Sequence, residues 1–275
     1  MSAARRGTHR RTGRTTPVAV SVMAALAIVV FSVPLLALMV RVPWSDIEDV
    51  VTSSASRDAL ALSLLTSVCA TVCAAMLGLP LAWVLARTAM PGRSIVRAVC
   101  TLSMVMPPVV AGVALLAALG RRGLVGELLD DWFGVRLPFT TPAVVIAQIF
   151  VAMPFFVLTV ESALRSTDRT VEDAARTLGA SPAYVMRRVT LPAVRPAIVA
   201  GLVLTWARAL GEFGATVTFA GNFPGTTRTL PVATYLALES DVDEALLMAM
   251  VLVVVSFIVL VSLRDRWTGA LGGAR

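Results

Sequence analysis

The sequence predicts an all-α membrane protein with six transmembrane helices and both termini in the cytoplasm, and three observations carry that prediction. Hydrophobic residues make up 57% of the 275 positions and charged residues only 15%. Soluble domains run at about 45–50% apolar and about 25% charged, and the mean hydropathy here is +0.82. Second, the apolar runs exceed the ~18 residues that mark a spanning helix and lack the strict alternation of a membrane β-barrel. Third, arginine is distributed unevenly. With six spans, 17 of the 24 arginines fall on one side and six on the other, while the acids favour the opposite side. That is the bias of a protein whose arginine-rich loops face the cytoplasm.

Residues 1–16 carry Arg5, Arg6, Arg10, Arg11 and Arg14 with the only histidine, His9. They read as a basic cytoplasmic tail orienting the first span, at 17–40, rather than as a nucleic-acid-binding arm. A secretory leader would have an apolar core of about 7–15 residues. This run is longer, and no clear cleavage site precedes Arg41, so an uncleaved helix is expected. Residues 41–57 form an acidic outer loop. The predicted transmembrane core covers 58–263. Its second span, about 58–86, contains Gly78 and Pro80, which can kink it. A short basic loop follows at 87–97, with Pro91-Gly92 as its turn.

The third span, about 98–119, contains Met106-Pro107-Pro108. Two prolines remove two backbone donors, so the helix is expected to break or bend there, as a pore lining or as a packing feature. Gly126–Phe133 reads as a short interfacial helix anchored by Trp132. The fourth span, about 142–164, holds Gln148, Pro154 and, near its inner end, Glu161, which can simply reach the surface. The fifth is placed at about 197–220, an outer loop at 221–243, and the sixth at about 244–263. A short cytoplasmic tail occupies 264–275. Cys69, Cys73 and Cys100 lie in or beside apolar runs and read as packing residues.

Between the fourth and fifth spans lies a polar island, 165–195. Glu172, Asp173, Arg176, Arg187 and Arg188 keep it out of lipid. Thr170 and Asp173 fit a capping box with Asp in place of Glu, and Gly179 offers a C-cap. Ser181-Pro182 can start a second helix, which Leu191-Pro192 and Arg195-Pro196 are expected to break. The island therefore reads as helix, glycine turn, helix at a membrane surface. Asp173-Ala174-Ala175, three residues, Gly179, nine residues and Val189-Thr190-Leu191-Pro192 resemble the EAA loop of ABC-importer permeases, E-A-A-x3-G-x9-I-x-L-P. Asp173 and Val189 are conservative departures from that pattern. The resemblance implies a type I importer permease fold and a loop that docks on a cytoplasmic ATPase. Glu172, Asp173, Ala174, Ala175, Gly179, Leu191 and Pro192 are its candidate coupling residues. Without that resemblance, the same stretch would be a surface hairpin.

A second informative stretch is Trp206 to Pro231. Arg208, Glu212 and Thr216 are spaced by four, which would put them on one helix face. Charges at such depth line a cavity or pair with each other. A-R-x-L-G-E-F-G-A-T at 207–216, T-R-T-L-P at 227–231 and Met106 to Gly112 resemble the molybdate permease subunits of ABC importers. Sulfate and tungstate permeases share the architecture and part of the R-x-L-G-E run. Arg208, Glu212, Phe213, Gly214, Thr216 and Thr218 are the candidate path or gate residues. Whether Arg208 and Glu212 gate or only lock the helix is left open by the sequence.

The resemblance implies an ATP-driven importer fed by an external molybdate-binding protein. Two ATPase copies and a second copy of this chain would complete it in the plasma membrane. The chain has no lysine, so no G-x-x-x-x-G-K-[ST] phosphate loop exists here. ATP hydrolysis is thus expected on a partner, with no cofactor, metal site or nucleic acid on this chain. The outer loops hold more acids than arginines, so a free anion would be weakly repelled, which suits delivery by a binding protein. A docking scaffold gives the polar stripe of the fifth span no use. Against a membrane enzyme, no His, Cys or Ser constellation occurs with carboxylate partners in the predicted spans.

Overall fold

In a computed structural model the described residues are 17–262, and all regular secondary structure among them is helical. The basic arm at 1–16, with His9, and the tail at 264–275 lie outside the described residues. Helix α1 (Val18–Arg41) runs through Pro34 and belongs to a unit of its own ending at Val42. Its extent agrees with the span expected at 17–40.

The second unit starts at Pro43. The predicted outer loop at 41–57 is instead largely helical, with a 3-10 turn at Trp44–Asp46, α2 (Ile47–Thr52), and the start of α3 (Ser54–Arg87). Ser53 caps α3 by accepting the Ser56 amide. At 1.5 Å per residue α3 is about 50 Å long, well beyond the ~30 Å of a hydrocarbon core. It continues as helix through Pro80.

The turn at Pro91-Gly92 forms as expected, with Gly92 at φ 78°. The stretch predicted as the third span does break at its prolines. Helix α4 (Arg93–Val105) ends, Met106 and Pro107 are extended, and α5 (Pro108–Leu119) restarts. Proline at the first position of α5 lacks the amide that would have had no helical partner anyway. Helix α6 (Gly126–Phe133) forms over the expected residues, and α7 (Thr141–Ser166) is capped by Thr140.

Helices α8 (Thr170–Thr177) and α9 (Pro182–Val185) make the polar island. Two expectations there fail. Thr170 does not cap α8: the cap position is Arg169, which makes no side-chain cap bond, and Asp168 forms a turn just before the helix, its carboxylate accepting the Thr170 amide at 2.9 Å and hydroxyl at 2.6 Å. Nor do the prolines end the second helix. A π turn over Met186–Thr190 leads directly into α10 (Leu191–Leu210), which runs through Pro196. The wider turn carries the Leu191 amide back to Met186, and Pro192 then sits where its missing amide costs little.

The fifth span also departs from the expectation. It breaks after Leu210, and α11 (Gly214–Phe219) follows. Gly211 leaves the helix at φ −86°, ψ 8°, and the Glu212 amide closes a tighter turn onto Ala209 O. The predicted outer loop at 221–243 contains α12 (Leu230–Ser240), followed by α13 (Val242–Ser262). Among the described residues, five helices are long and apolar enough to span: α1, α3, α7, α9 continued through α10, and α13. Helix α5 is apolar but only 12 residues long.

Helices α3, α7 and α10 pack on one another at the centre of this unit. Their seam is lined by small residues, Ala70, Ala152 and Ala209. Phe156 of α7 enters between two glycines. A Cβ on Gly78 would stand 2.9 Å from its ring, and one on Gly201 3.2 Å. Small residues at these positions let the helices approach, as in other membrane bundles. A second cluster joins Ala111 and Leu115 of α5, Ala143 to Val151 of α7, and Ala215 and Phe219 of α11. A third joins Ala59 of α3 to α12 and α13, and the Leu230 amide donates to Ser63 Oγ at 2.6 Å.

Candidate coupling loop and translocation site

The polar island is held by one buried carboxylate. Glu172 of α8, 4% exposed, accepts from Arg87 Nη2 at 2.8 Å and from Thr190 Oγ1 at 2.9 Å. One acid thus ties the end of α3, the first island helix and the π turn together. A buried charge is stable only when paired and hydrogen-bonded, so this contact fixes the island's angle on the bundle. Neither Arg87 nor Thr190 was picked out from the sequence. Arg87 lies 85 positions from its partner, and no local pattern connects them.

Asp173 points the other way, exposed and only loosely paired with Arg176 at 3.5 Å. Ala174 is exposed and Ala175 half-buried. Gly179 turns the chain at φ 88°, with its amide on Arg176 O and the Ala180 amide on Ala175 O. These two bonds define a Schellman motif, which requires a left-handed residue. A Cβ at Gly179 would meet nothing within 4 Å, so the requirement is conformational and not steric. Ser181 caps α9 through the Tyr184 amide at 3.3 Å, as its sequence position indicates. Val171, Leu178 and Tyr184 are exposed along the two short helices. Leu191 is half-buried and Pro192 exposed at the start of α10.

Arg208 and Glu212 do pair, at 2.7 Å. They do not share one continuous helix with Thr216, because the helix stops between them. Glu212, 1% exposed, uses both carboxylate oxygens. Oε2 takes Arg208 in the last turn of α10, and Oε1 accepts the Ala215 amide of α11 at 2.8 Å. It therefore clasps the two helix pieces across the break. Arg208 keeps 30% of its side chain accessible. Phe213 stacks on Tyr235 of α12 with centroids 4.9 Å apart. Thr216 is fully buried with no partner for its hydroxyl, and Thr218 donates to Gly214 O within α11.

The two helix breaks meet. A Cβ on Gly214 would lie 2.5 Å from Pro108 Cβ, and one on Gly112 would lie 2.5 Å from Thr218 Cβ. The proline-broken stretch and the stretch broken after Leu210 thus interlock through α5 and α11. Broken helices inside a membrane bundle leave backbone polar groups free where they line a cavity or pack on protein.

A third charged cluster was misread from the sequence. Glu161 does not reach the surface. It is 4% exposed and bonded by Arg97 of α4 and by Arg165 at 3.0 Å. Its depth in the α4–α7 packing follows from the way α4 folds back on α7, which the linear sequence does not display.

This combination defines a class: a multi-pass membrane permease with broken helices in its bundle and a helix–glycine–helix loop at one end. The chain belongs to the binding-protein-dependent transport system inner membrane component family, whose model matches residues 75–272. It is 44% identical to the molybdenum transport system permease protein ModB of Mycobacterium tuberculosis, over 89% of this chain and 92% of that one. Against the ModB of Escherichia coli it is 43% identical over 68% of this chain and 82% of the relative. The fold is that of an ABC importer. A bacterial ABC transporter involved in import of the acidic polysaccharide alginate superposes with a TM-score of 0.75 at 18% identity, covering 91% of this chain and 94% of that one.

Proposed function

We propose that this chain is the channel-forming subunit of an ATP-driven molybdate importer. The observation that carries the substrate is the 44% identity, across nearly the full length of both chains, to a permease named for molybdenum transport. The oxyanion is received from an external binding protein and passed inward. A separate cytoplasmic ATPase supplies the energy. Uptake of labelled molybdate by cells carrying this permease, competed by sulfate and by tungstate, tests the reading. Molybdate uptake that sulfate displaces at equal concentration would move the assignment to a sulfate permease. A tungstate permease is the alternative reading, since the two oxyanions share shape and charge.

The proposed topology counts α4 and α5 as one broken crossing, which with the five long helices makes six. The arginine bias then puts both termini in the cytoplasm. One chain offers one coupling loop, whereas two ATPase subunits need two. The permease is therefore assigned as a two-fold homodimer bound to two ATPase copies and one binding protein. Mass measurement of the purified complex in detergent checks this, and a single permease copy per complex would refute it. The proposed coupling element is the surface of α8, Gly179 and α9, held by Glu172 and presenting Asp173, Ala174 and Ala175, with Leu191 and Pro192 closing the loop. The proposed gate is Arg208 with Glu212, flanked by Phe213, Gly214, Thr216 and Thr218. Arg208 alone would hold a dianion too firmly. Glu212 competes for it and lets the substrate leave.

A further inference from the structure

A polar cavity of about 190 Å³ lies beside α8, lined by Trp83, Arg87, Arg169, Glu172, Asp173 and Arg176. Arg87 is its buried wall, with a side chain 7% exposed. One of its nitrogens pairs with Glu172, while Nε and Nη1 are buried without a partner. The unmet donors lie inside the wall, so the cavity itself is faced by charged side chains around it rather than by these two atoms. The space exceeds the roughly 30 Å³ of one water molecule several-fold, so a whole side-chain head fits.

We propose that this cavity receives one acidic side chain of the cytoplasmic ATPase. The inference rests on the reading of α8 and α9 as the docking loop, and it adds a specific chemical contact to that reading. Charge selects the occupant. The lining holds three arginines against Glu172 and Asp173, a net charge of +1. A single carboxylate neutralises it, whereas a doubly charged oxyanion overshoots. Glu172 is committed to Arg87 and Thr190, and Asp173 pairs loosely with Arg176 at 3.5 Å, so among the described residues Arg169 is the lining cation with no carboxylate in salt-bridge reach. Arg169, Asp173 and Arg176 are exposed and leave the mouth open to a partner. An arginine fork binds a carboxylate through two parallel bonds, which gives orientation as well as attraction.

The sequence supplies an unusual test, because the chain contains no lysine. Arg169→Lys preserves the charge and installs the only side-chain amine at the cavity mouth. A water-soluble carbodiimide applied to the assembled permease–ATPase complex should then join that amine to one Asp or Glu of the ATPase, mapped by mass spectrometry. Arg169→Glu should weaken ATPase association at least tenfold. Cross-linking only within the permease, or none in an intact complex, overturns the proposal. So does a cross-link that millimolar phosphate or molybdate abolishes while the complex persists, since the cavity would then hold a free anion. Unchanged association of Arg169→Glu also overturns it. If the unmodified chain fails to bind any ATPase, the docking reading itself falls, which is a separate and distinguishable result.

Discussion

Replacing Glu212 separates its two tasks. Glu212→Gln keeps an oxygen to accept the Ala215 amide but removes the charge facing Arg208. Hydrogen bonds to charged groups contribute about 1.5–3 kcal/mol and neutral ones about 0.5–1.5. The amide variant should therefore lose about 1–1.5 kcal/mol. At roughly 2–4 °C per kcal/mol for a chain of this size, melting falls by about 2–6 °C. Arg208 is 30% exposed and can recover water, which keeps the loss below the ~3–5 kcal/mol of a fully buried broken pair. Glu212→Ala loses the clasp as well, and the unpaired Ala215 amide adds about 1–3 kcal/mol. Transport responds differently. A freed Arg208 gains one charge-assisted bond to a passing dianion, about 1.5–3 kcal/mol, which slows release by roughly tenfold to a hundredfold. The assay is molybdate uptake and ATPase activity in proteoliposomes, normalised to folded protein. Glu212→Gln should accumulate, melt only slightly lower and lose most of its uptake. Normal uptake with normal ATPase activity refutes the gate and leaves Glu212 as a clasp between α10 and α11.

Other outcomes follow from the same geometry. Gly179→Val forces a β-branched residue to φ 88° and should abolish ATPase copurification, whereas Gly179→Asn should retain it, since Asn tolerates that region. Equal behaviour of the two would disprove a conformational requirement there. Gly112→Ala should cost about 1–3 kcal/mol by pushing α5 from Thr218, and adding Thr218→Gly should recover part of the loss in a melting double-mutant cycle. Arg87→Met strands Glu172 and should lower stability by about 3–5 kcal/mol, and Arg87→Met with Glu172→Leu should restore most of it. Asp168 braces the turn that leads into α8, and its bonds to Thr170 hold its carboxyl below the ordinary value. A lowered folded pKa gives stabilisation that is present above the unfolded value, about 3.9, and lost as pH falls through the folded one. Amide exchange over α8 should therefore accelerate on acidification below that range, and Asp168→Asn should remove the dependence.

Composition, run length and arginine placement determined the helical membrane class, because a lipid-buried backbone is satisfied only in a helix or a closed barrel, and these long, non-alternating apolar runs do not suit barrel strands. Local chemistry determined several turns as well. Met106-Pro107-Pro108 broke its helix, Ser181 and Gly179 shaped the island, and Gly126–Phe133 formed the short helix, each through contacts a few residues apart. The spacing of Arg208 and Glu212 foretold their pairing but not the break between α10 and α11, since spacing by four presumes an unbroken helix. Leu191-Pro192 misled for the converse reason: a π turn absorbed the missing amide. Arg87 with Glu172, Arg97 with Glu161, and Gly214 against Pro108 were decided only by tertiary structure. These partners lie far apart in the chain, and nothing in the local sequence encodes which helices will meet. The bundle brings them together because small residues let the helices approach and buried charges must find counter-charges where they do.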